Sequence, residues 1–543
     1  MKKIKKIFTA LIALCLCFCL AFSSSAAVGV ETNTESYTVV DPFTKVIYNL
    51  LDMIVNGLVR AIAAGFPAPD SWDSDSVPAG FMEGTEEFID SPVEGASWKL
   101  GYDSRSFLPD EKDVIGKMYV GGTIAMDNKY ATDIEDDLRV RTAVLDDGSG
   151  RGVSVFCVID AYGLALPDVR EIRTRLSALA EEKSINSISI SVMHQHSAVD
   201  TFGMNGNIWK MVLLNPGSIA VRLGTENGKN PAYMENLYNV CAESVEAAVG
   251  NMAEGKLYLG KTDASKYTND KRQPYVMDPN FNRLRFVPAD GSKETWLVSS
   301  PVHCVGNGAA GTVITGDYPY YAENEVADEA NLMFYLGAEQ STTQESNEDT
   351  VIDYDENASR LETLKGFGKS IGRDLKAITE ETEVAPLLNI AYKEVSFSID
   401  NSILLLAGKA GLFENAIRKV DGEYKVISEI GYMEIGEELA FAIVPGELAP
   451  ELAYGGCLGS AHSWSGDDWE YPSMQDVITE NGIDRELHVL GLANDQIGYI
   501  VPDNNYIPML HESSQSIEFV SLGKHTASDL ITEFGNLVLD RAK

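Results

Sequence analysis

The most constraining feature of this 543-residue chain is a strictly alternating strand that ends in two histidines. Serine and apolar residues alternate over residues 187–193, and the run stops at His194-Gln195-His196. Alternation with a period of two predicts a half-buried β-strand. Three further apolar runs end in polar residues in the same way, at His303, at Glu447 and over 491–499. Since strand ends meet at one edge of a sheet, the polar side chains are expected to converge there.

Strand and helix patterns are mixed from about residue 97 to the C-terminus. Helix 167–183 begins with Pro167 and Asp168, which suit the first turn of a helix. Further helices are predicted at 318–335, 358–379 and 525–541, and further strands at 283–288, 296–302, 438–444 and 487–492. The pattern predicts an α/β fold with mixed β-sheets flanked by helices. No repeat or Ser/Gly-rich hinge interrupts it, so residues 97–543 are predicted to form one domain.

The N-terminal residues indicate export. A basic region with four lysines precedes an uncharged apolar stretch over residues 7–22, and small residues follow. This is the pattern of a signal peptide over residues 1–27, with cleavage near Ala26 or Ala27. The apolar stretch is short for a transmembrane helix. The mature chain is therefore expected to be secreted or to lie at the cell surface.

Residues 28–96 are predicted to hold an amphipathic helix followed by an acidic linker that contains proline. In the segment 43–62 the polar residues recur every three or four positions, which is the period of a helix; they are Lys45, Asn49, Asp52, Asn56 and Arg60. Its apolar face can dock on the chain's own domain or make a peripheral contact with a membrane. Docking on the domain is favoured, because the polar face is not rich in lysine.

Charge and cysteine content exclude two classes of protein. The formal net charge is −38, whereas binding of nucleic acid needs clustered lysine and arginine. Four cysteines lie outside the signal peptide, spread over more than five hundred residues, which is no disulfide framework. Cys157 lies in an apolar run and is predicted to be a buried free thiol.

The residues at the strand ends are of the types that bind zinc. Imidazole nitrogens and carboxylate oxygens suit zinc, whereas few of these groups suit calcium. The chain has only seven histidines, and three of them, His194, His196 and His303, follow two of the strands. Two histidines separated by one residue are more often a core or surface pair than a ligand set. The spacing alone is therefore compatible both with a metal site and with a core or surface pair of histidines.

Six short motifs, taken in order, resemble the neutral ceramidase family. Residues 190–197 resemble the family's Ser-Gly-Thr-His-Thr-His-Ser-Gly segment, and 158–163 with the helix at 174–176 resemble the strand and helix before it. The remaining resemblances lie at 272–279, 302–304 with 314–317, 445–447 and 491–500. The resemblance spans about residues 110–540 and implies the fold of the family's N-terminal catalytic domain. The chain ends at the helix 525–541, so the family's C-terminal Ig-like domain is expected to be absent.

The resemblance implies a zinc-dependent amidohydrolase that cleaves the amide bond of an N-acylated, ceramide-like substrate with a zinc-activated water. The family's zinc ligands correspond to His194, His303, Glu447 and Tyr499. His196 shares a strand face with His194, which suits a role in acid–base catalysis or oxyanion stabilisation. The expected partner is a small-molecule or lipid substrate.

Arg272 resembles an active-site arginine of the family and would donate hydrogen bonds to developing negative charge; a surface ion pair is the alternative. The family's proposed serine nucleophile falls on Gly337, which has no side chain, and Ser341 lacks the Gly-Asp that follows the family serine. Two other interpretations therefore stay open. One is a zinc hydrolase of the same fold that acts on a different amide or ester, and the other is a non-catalytic secreted binding protein.

Overall fold

The structure, a computed structural model, describes residues 40–73, 77–122, 129–203, 228–308, 311–409, 411–412 and 414–541. The predicted signal peptide and its cleavage site lie outside these residues. The helices are α1 Pro42–Ala64, α2 Glu111–Val114, α3 Leu166–Arg175, α4 Ser177–Lys183, α5 Pro231–Gly250, α6 Asp317–Val326, α7 Arg360–Lys376, α8 Ser402–Lys409, α9 Pro450–Tyr454, α10 Met474–Glu480 and α11 Thr526–Arg541.

The strands have two to thirteen residues and lie between residues 98 and 500. They are β1 Trp98–Ser106, β2 Asp133–Ile134, β3 Arg139–Asp146, β4 Val153–Ile159, β5 Ile185–Val192, β6 Ala253–Asp263, β7 Thr268–Asp270, β8 Asn280–Pro288, β9 Glu294–Ser300, β10 Val313–Ile314, β11 Ala330–Leu336, β12 Thr342–Gln344, β13 Glu381–Val384, β14 Leu388–Ser398, β15 Ile417–Val420, β16 Glu423–Ile435, β17 Leu439–Ile443, β18 Glu447–Leu448, β19 Glu486–Leu490 and β20 Tyr499–Ile500.

The larger sheet brings distant polar segments together. Its order is β11-β9-β8-β6-β1-β3-β4-β5, with β13 beside β6. The pairs β4–β5 and β9–β11 are parallel, and the other pairs are antiparallel. Strand β11 also packs against β4 and β5, so the two ends of this strand order approach each other. The residues that follow β5, β9 and β11 therefore lie close together.

A smaller sheet supplies the remaining part of the site. Its order is β14-β16-β17-β19, with β15 beside β16, and only β17 and β19 of its described strands run parallel. After β17 the chain enters a short parallel ladder in which β18 pairs with β20 and Glu447 lies opposite Tyr499. The predicted fold class is confirmed: mixed sheets are flanked by helices. The extent of the single domain over 97–543 stays a prediction.

Helix α11 shows how the helices cover the sheets. Its side chains Leu530, Phe534 and Val538 recur every four residues, and all three are buried. The helix packs on β14 and β16, so this stripe faces the smaller sheet. Each such side chain stabilises the fold by about 1.5–3 kcal/mol when it is fully buried. Cys157 is buried in β4 as a free thiol, as predicted.

Two predicted helices differ from the structure. The segment 318–335 forms a helix only as far as Val326, and Ala330–Leu336 is strand β11. This segment pairs with β9 over its whole length, and that pairing outweighs the helical preference of Leu332 and Met333. Helix 167–183 is divided at Leu176 into α3 and α4.

The N-terminal helix α1 covers the predicted segment, but over most of its length its orientation is the reverse of the expected one. Its apolar face was expected to pack on the domain, yet Leu50, Ile54 and Leu58 are 51%, 47% and 47% exposed. The polar side chains form the contacts with the rest of the chain instead, because their hydrogen-bonding partners lie on that side. Among the apolar side chains of α1, only Val59, Ile62 and Ala63 are buried.

Candidate active site

A sharp turn after β5 positions His194 and His196. His194 has a φ of 53°, a left-handed conformation that is uncommon for a residue with a side chain. Backbone hydrogen bonds maintain it: the N–H of Gln195 donates to the carbonyl of Ala161, and that of His196 to the carbonyl of Cys304. Such strain persists where the surroundings determine it, often at functional sites. The turn directs both imidazoles into the space between the sheets.

Three buried imidazoles meet there. The ring centroids of His194, His196 and His303 lie 4.9 Å apart in each pair, and Nε2 of His303 is 2.9 Å from Nε2 of His196. Nδ1 of His194 lies 2.7 Å from the carbonyl oxygen of Tyr162. A carbonyl can only accept a hydrogen bond, so Nδ1 carries a proton, and in the neutral ring Nε2 has a free lone pair. This is the tautomer that a metal-binding histidine uses.

Two carboxylates complete the cluster. Oε2 of Glu447 is 3.3 Å from Nε2 of His194, and Oε2 of Glu339 is 2.7 Å from Nδ1 of His303. Nε2 of His194 and Oε2 of Glu447 are buried and make no hydrogen bond within the described residues. Buried polar atoms are almost always paired, so two such atoms side by side indicate a missing partner between them. A cation satisfies both, because each presents a lone pair.

The cluster has two overlapping sets of potential ligand atoms. One atom from each of His194, His196 and His303 lies within 4.8 Å of the others, and the same holds for His303, Glu339 and Glu447. The structure therefore brings three of the four predicted ligands together. It also places the predicted acid–base residue, His196, in contact with them.

Burial and neighbouring charges set the protonation of these groups. Burial, together with the neighbouring imidazoles of His194 and His303, holds the pKa of His196 well below its ordinary value, so His196 is neutral at pH 7. Burial also lowers the pKa of His303, but the Glu339 carboxylate and, behind it, Glu447 outweigh burial and raise the pKa to about 9. Glu339 therefore increases the affinity of His303 for positive charge.

Tyr499, the fourth predicted ligand, reaches the cluster through Glu447. It lies opposite Glu447 in the β18–β20 ladder, where the negative charge of Glu447 acts on its phenol. Burial and the Glu447 charge raise the pKa of Tyr499 well above its ordinary value, so the phenol keeps its proton in this environment. Its role as a ligand stays a prediction.

Arg272 is held in an ion pair rather than in the histidine cluster. Its guanidinium lies 2.6 Å from Oε1 of Glu518 and donates to the carbonyl of Asn505 at 2.7 Å. None of its described hydrogen bonds goes to the three histidines or to Glu447. The ion pair is buried, not at the surface as the alternative interpretation had it. The catalytic role of Arg272 stays a prediction.

The segment after β11 contains no serine where the family has one. Gly337 directly follows this strand, and its N–H donates to the carbonyl of Ser300 at 3.0 Å. The hydroxyl of Ser341 donates to Oδ1 of Asp270 at 2.6 Å instead of to an imidazole. Within the described residues, neither position supplies a hydroxyl that is hydrogen-bonded to the cluster.

Glu339, which the structure places against His303, is not among the residues that the sequence predicts for the site. The signal was present, because Glu339 is a polar residue that closely follows an apolar run, as His194, His303 and Glu447 do. It was overlooked because the run was assigned to helix 318–335, and a helix does not end at the edge of a sheet. Gln496, whose side chain is 3.5 Å from Oε1 of Glu447, was not identified as a site residue either.

An apolar pocket of about 580 Å³, including its open mouth, adjoins the cluster at Glu447. Its walls are mainly aliphatic and aromatic, and they include Tyr162, Phe202, Ile399, Leu404, Ile497 and Leu522. The polar groups that line it include Glu447 and Gln496. Ligand pockets in proteins typically have this composition, with a few polar groups that orient the ligand.

The sheets, and the cluster where their strands end, define a ceramidase-like α/β fold. The neutral ceramidase from Pseudomonas aeruginosa has a similar structure, with a TM-score of 0.62 and 14% sequence identity over 83% of this chain and 75% of that one. A ceramidase complexed with C2 is also similar, with a TM-score of 0.58 and 15% identity over 82% of this chain and 75% of that one. No family model and no curated protein matches the sequence.

Proposed function

We propose that this chain is an exported, zinc-dependent amidohydrolase that acts on an N-acylated, lipid-like substrate. The buried pair of unsatisfied atoms on His194 and Glu447 carries this proposal, since both point into the cluster. The ceramidase-like fold supports an amide as the bond that is cleaved. The apolar pocket beside Glu447 supports a substrate with an acyl chain. Export rests on the signal-peptide pattern of residues 1–27.

The residues that would hold zinc are His194, His303, Glu447 and Tyr499. Two imidazoles, which are neutral when they bind a metal, and a carboxylate are a usual donor set for zinc, and the set is buried. When bound, zinc polarises a carbonyl and lowers the pKa of a water molecule to about 7. Glu339 holds the ring of His303 with Nε2 directed at the cluster, the arrangement that is typical of a metal-binding histidine and its carboxylate partner.

His196 is the group placed to move protons. Hydrolysis adds the oxygen of water to the carbonyl carbon, breaks the C–N bond and gives a proton to the departing amine. The neutral imidazole of His196 can accept a proton from water and return it to the amine nitrogen. Attack by water needs no serine, so the glycine at position 337 is compatible with hydrolysis.

The metal can be tested by elemental analysis of the purified chain. We expect about one zinc per molecule, as one set of ligands implies. His303→Ala should lose most of the zinc affinity, because it removes an imidazole from the set. His525→Ala is the matched control, since His525 is 62% exposed and pairs with Asp503 away from the cluster. A parent protein that holds no transition metal, even after reconstitution with zinc, would refute the site.

The reaction can be tested with matched N-acyl amides and esters of long and short chains. We expect hydrolysis of long-chain amides, and we expect His196→Ala to lower that rate by roughly a hundredfold or more while zinc is retained. Hydrolysis of esters alone would favour the second interpretation, a zinc hydrolase of another substrate class. A zinc-loaded protein that binds lipid but hydrolyses nothing would be a binding protein.

A further inference from the structure

Helix α1 directs a row of apolar side chains away from the protein. The row, called here the apolar stripe, consists of residues that are 39–73% exposed: Phe43, Val46, Ile47, Leu50, Leu51, Met53, Ile54 and Leu58. A helix on a soluble domain normally has the opposite orientation, with its apolar face packed inward. Within the described residues, α1 is also the one helix long and apolar enough, by length and composition alone, to cross a membrane.

Hydrogen bonds from the polar face hold this orientation in place. Near the start of α1, Lys45 donates to the carbonyl of Ser463 at 2.7 Å, and Asn49 accepts from the Trp464 indole at 2.8 Å. Near its end, Arg60 donates to a backbone carbonyl of the segment before α8 at 3.0 Å. Contacts at both ends make α1 lie flat on the domain. Turning the stripe inward would break all of them.

We propose that the apolar stripe docks this protein on a lipid surface, with α1 lying in the plane of the interface. The stripe contains no charged side chain, whereas protein–protein interfaces carry a polar rim and about one hydrogen bond per 100–200 Å². A flat helix of this kind buries its apolar face about 5–10 Å into a bilayer. The net charge of −38 opposes binding to anionic lipids, so the surface is zwitterionic.

The stripe is connected to the candidate active site through α8. Helix α8 packs against α1, and the Lys409 ammonium donates to the carbonyl of Ala63 at the end of α1. Leu404 of α8 and Ile399, which precedes α8, line the apolar pocket that reaches Glu447. Helix α8 therefore contacts both the helix that carries the stripe and the apolar pocket. The use of this connection by a substrate rests on the proposed function, because it presumes a lipid-like substrate. The docking itself does not rest on the proposed function.

The docking can be measured by flotation of the exported, processed chain with phosphatidylcholine vesicles. The parent should float with the vesicles, and the triple variant L50Q/I54Q/L58Q should lose about tenfold or more of its partition coefficient. These side chains are exposed, and glutamine is a good helix former, so the thermal midpoint should stay unchanged. The matched control is V93Q/L539Q, which replaces side chains that are 45% and 47% exposed elsewhere.

Four results would overturn the proposal. The parent could fail to float with phosphatidylcholine vesicles, or it could float only at low salt, which would indicate electrostatic adsorption. The triple variant could bind as well as the parent, which would place the contact elsewhere. A parent that forms a dimer, lost in the triple variant, and ignores vesicles would make the stripe an interface between copies. Vesicle binding without any hydrolysis would refute the proposed function and leave the docking intact.

Discussion

At the scale of single residues, the candidate site depends on what orients each imidazole. Nδ1 of His194 is fixed by a backbone carbonyl, that of Tyr162, which no side-chain substitution removes. Nδ1 of His303 is fixed by the Glu339 carboxylate, which a substitution can change. Glu339 is therefore the residue through which the metal affinity of the cluster can be altered without removing a predicted ligand.

We expect Glu339→Gln to weaken zinc binding by about 10–100-fold, the usual effect of losing a carboxylate that orients a metal-binding histidine. The amide keeps the shape of the side chain but removes the charge that raises the pKa of His303 to about 9. Competition with a chromogenic chelator measures the affinity. Glu451→Gln, which changes another buried glutamate outside the cluster, should leave it unchanged. Equal affinity in the E339Q variant and the parent would show that Glu339 is not a partner of a ligand.

At the scale of elements, the ends of strands β5, β9, β11 and β17 build the site. Each strand is followed within a few residues by a group of the cluster, which is why short local motifs could identify most of it. Strand β11 is the informative case. It pairs with β9, and Glu339 follows it along the chain. Ser341, which lies slightly further on, donates a hydrogen bond to Asp270 of strand β7 instead.

We expect Ser341→Ala to keep most of the hydrolytic activity, because its hydroxyl is hydrogen-bonded to Asp270 and not to a histidine. Steady-state rates on a long-chain amide, compared with those of His196→Ala, measure the difference. Loss of a hydrogen bond to a carboxylate should cost about 1.5–3 kcal/mol of stability, which unfolding experiments would detect. An acyl group trapped on Ser341, seen by mass spectrometry with a slow substrate, would overturn attack by water.

At the scale of the whole molecule, buried ion pairs connect helix α3 with the smaller sheet. Arg170 and Arg173 of α3 both bind Glu429 of β16, at 2.7 Å and 2.8 Å, and Glu429 is fully buried. Arg170 also pairs with Glu394 of β14 at 2.9 Å. Helix α3 belongs to the connection between β4 and β5, so these pairs help to fix the larger sheet relative to the smaller one. The cluster, which takes groups from both sheets, depends on that position.

We expect Glu429→Gln to destabilise the protein by about 3–5 kcal/mol, because it leaves two buried guanidinium groups without their shared counter-charge. Denaturant unfolding measures the change. Arg175→Gln is the matched control on the same helix: its partners Glu171 and Glu235 are exposed, so the loss should be about 0–1 kcal/mol. A small effect of Glu429→Gln, equal to that of the control, would mean that the two sheets are held together by apolar packing alone.

The sequence by itself determined the fold class, the positions of several strands and the convergence of His194, His303 and Glu447. These follow from periodicities of two and 3.6 residues and from polar residues at strand ends, which are local properties of the chain. Only the tertiary structure decided that 330–336 is a strand, because its hydrogen bonds go to β9. The same applies to Glu339, found against His303 once that strand was in place, and to the outward stripe of α1. Asn49 accepts a hydrogen bond from Trp464, more than 400 residues away, and no local pattern encodes a partner at that distance.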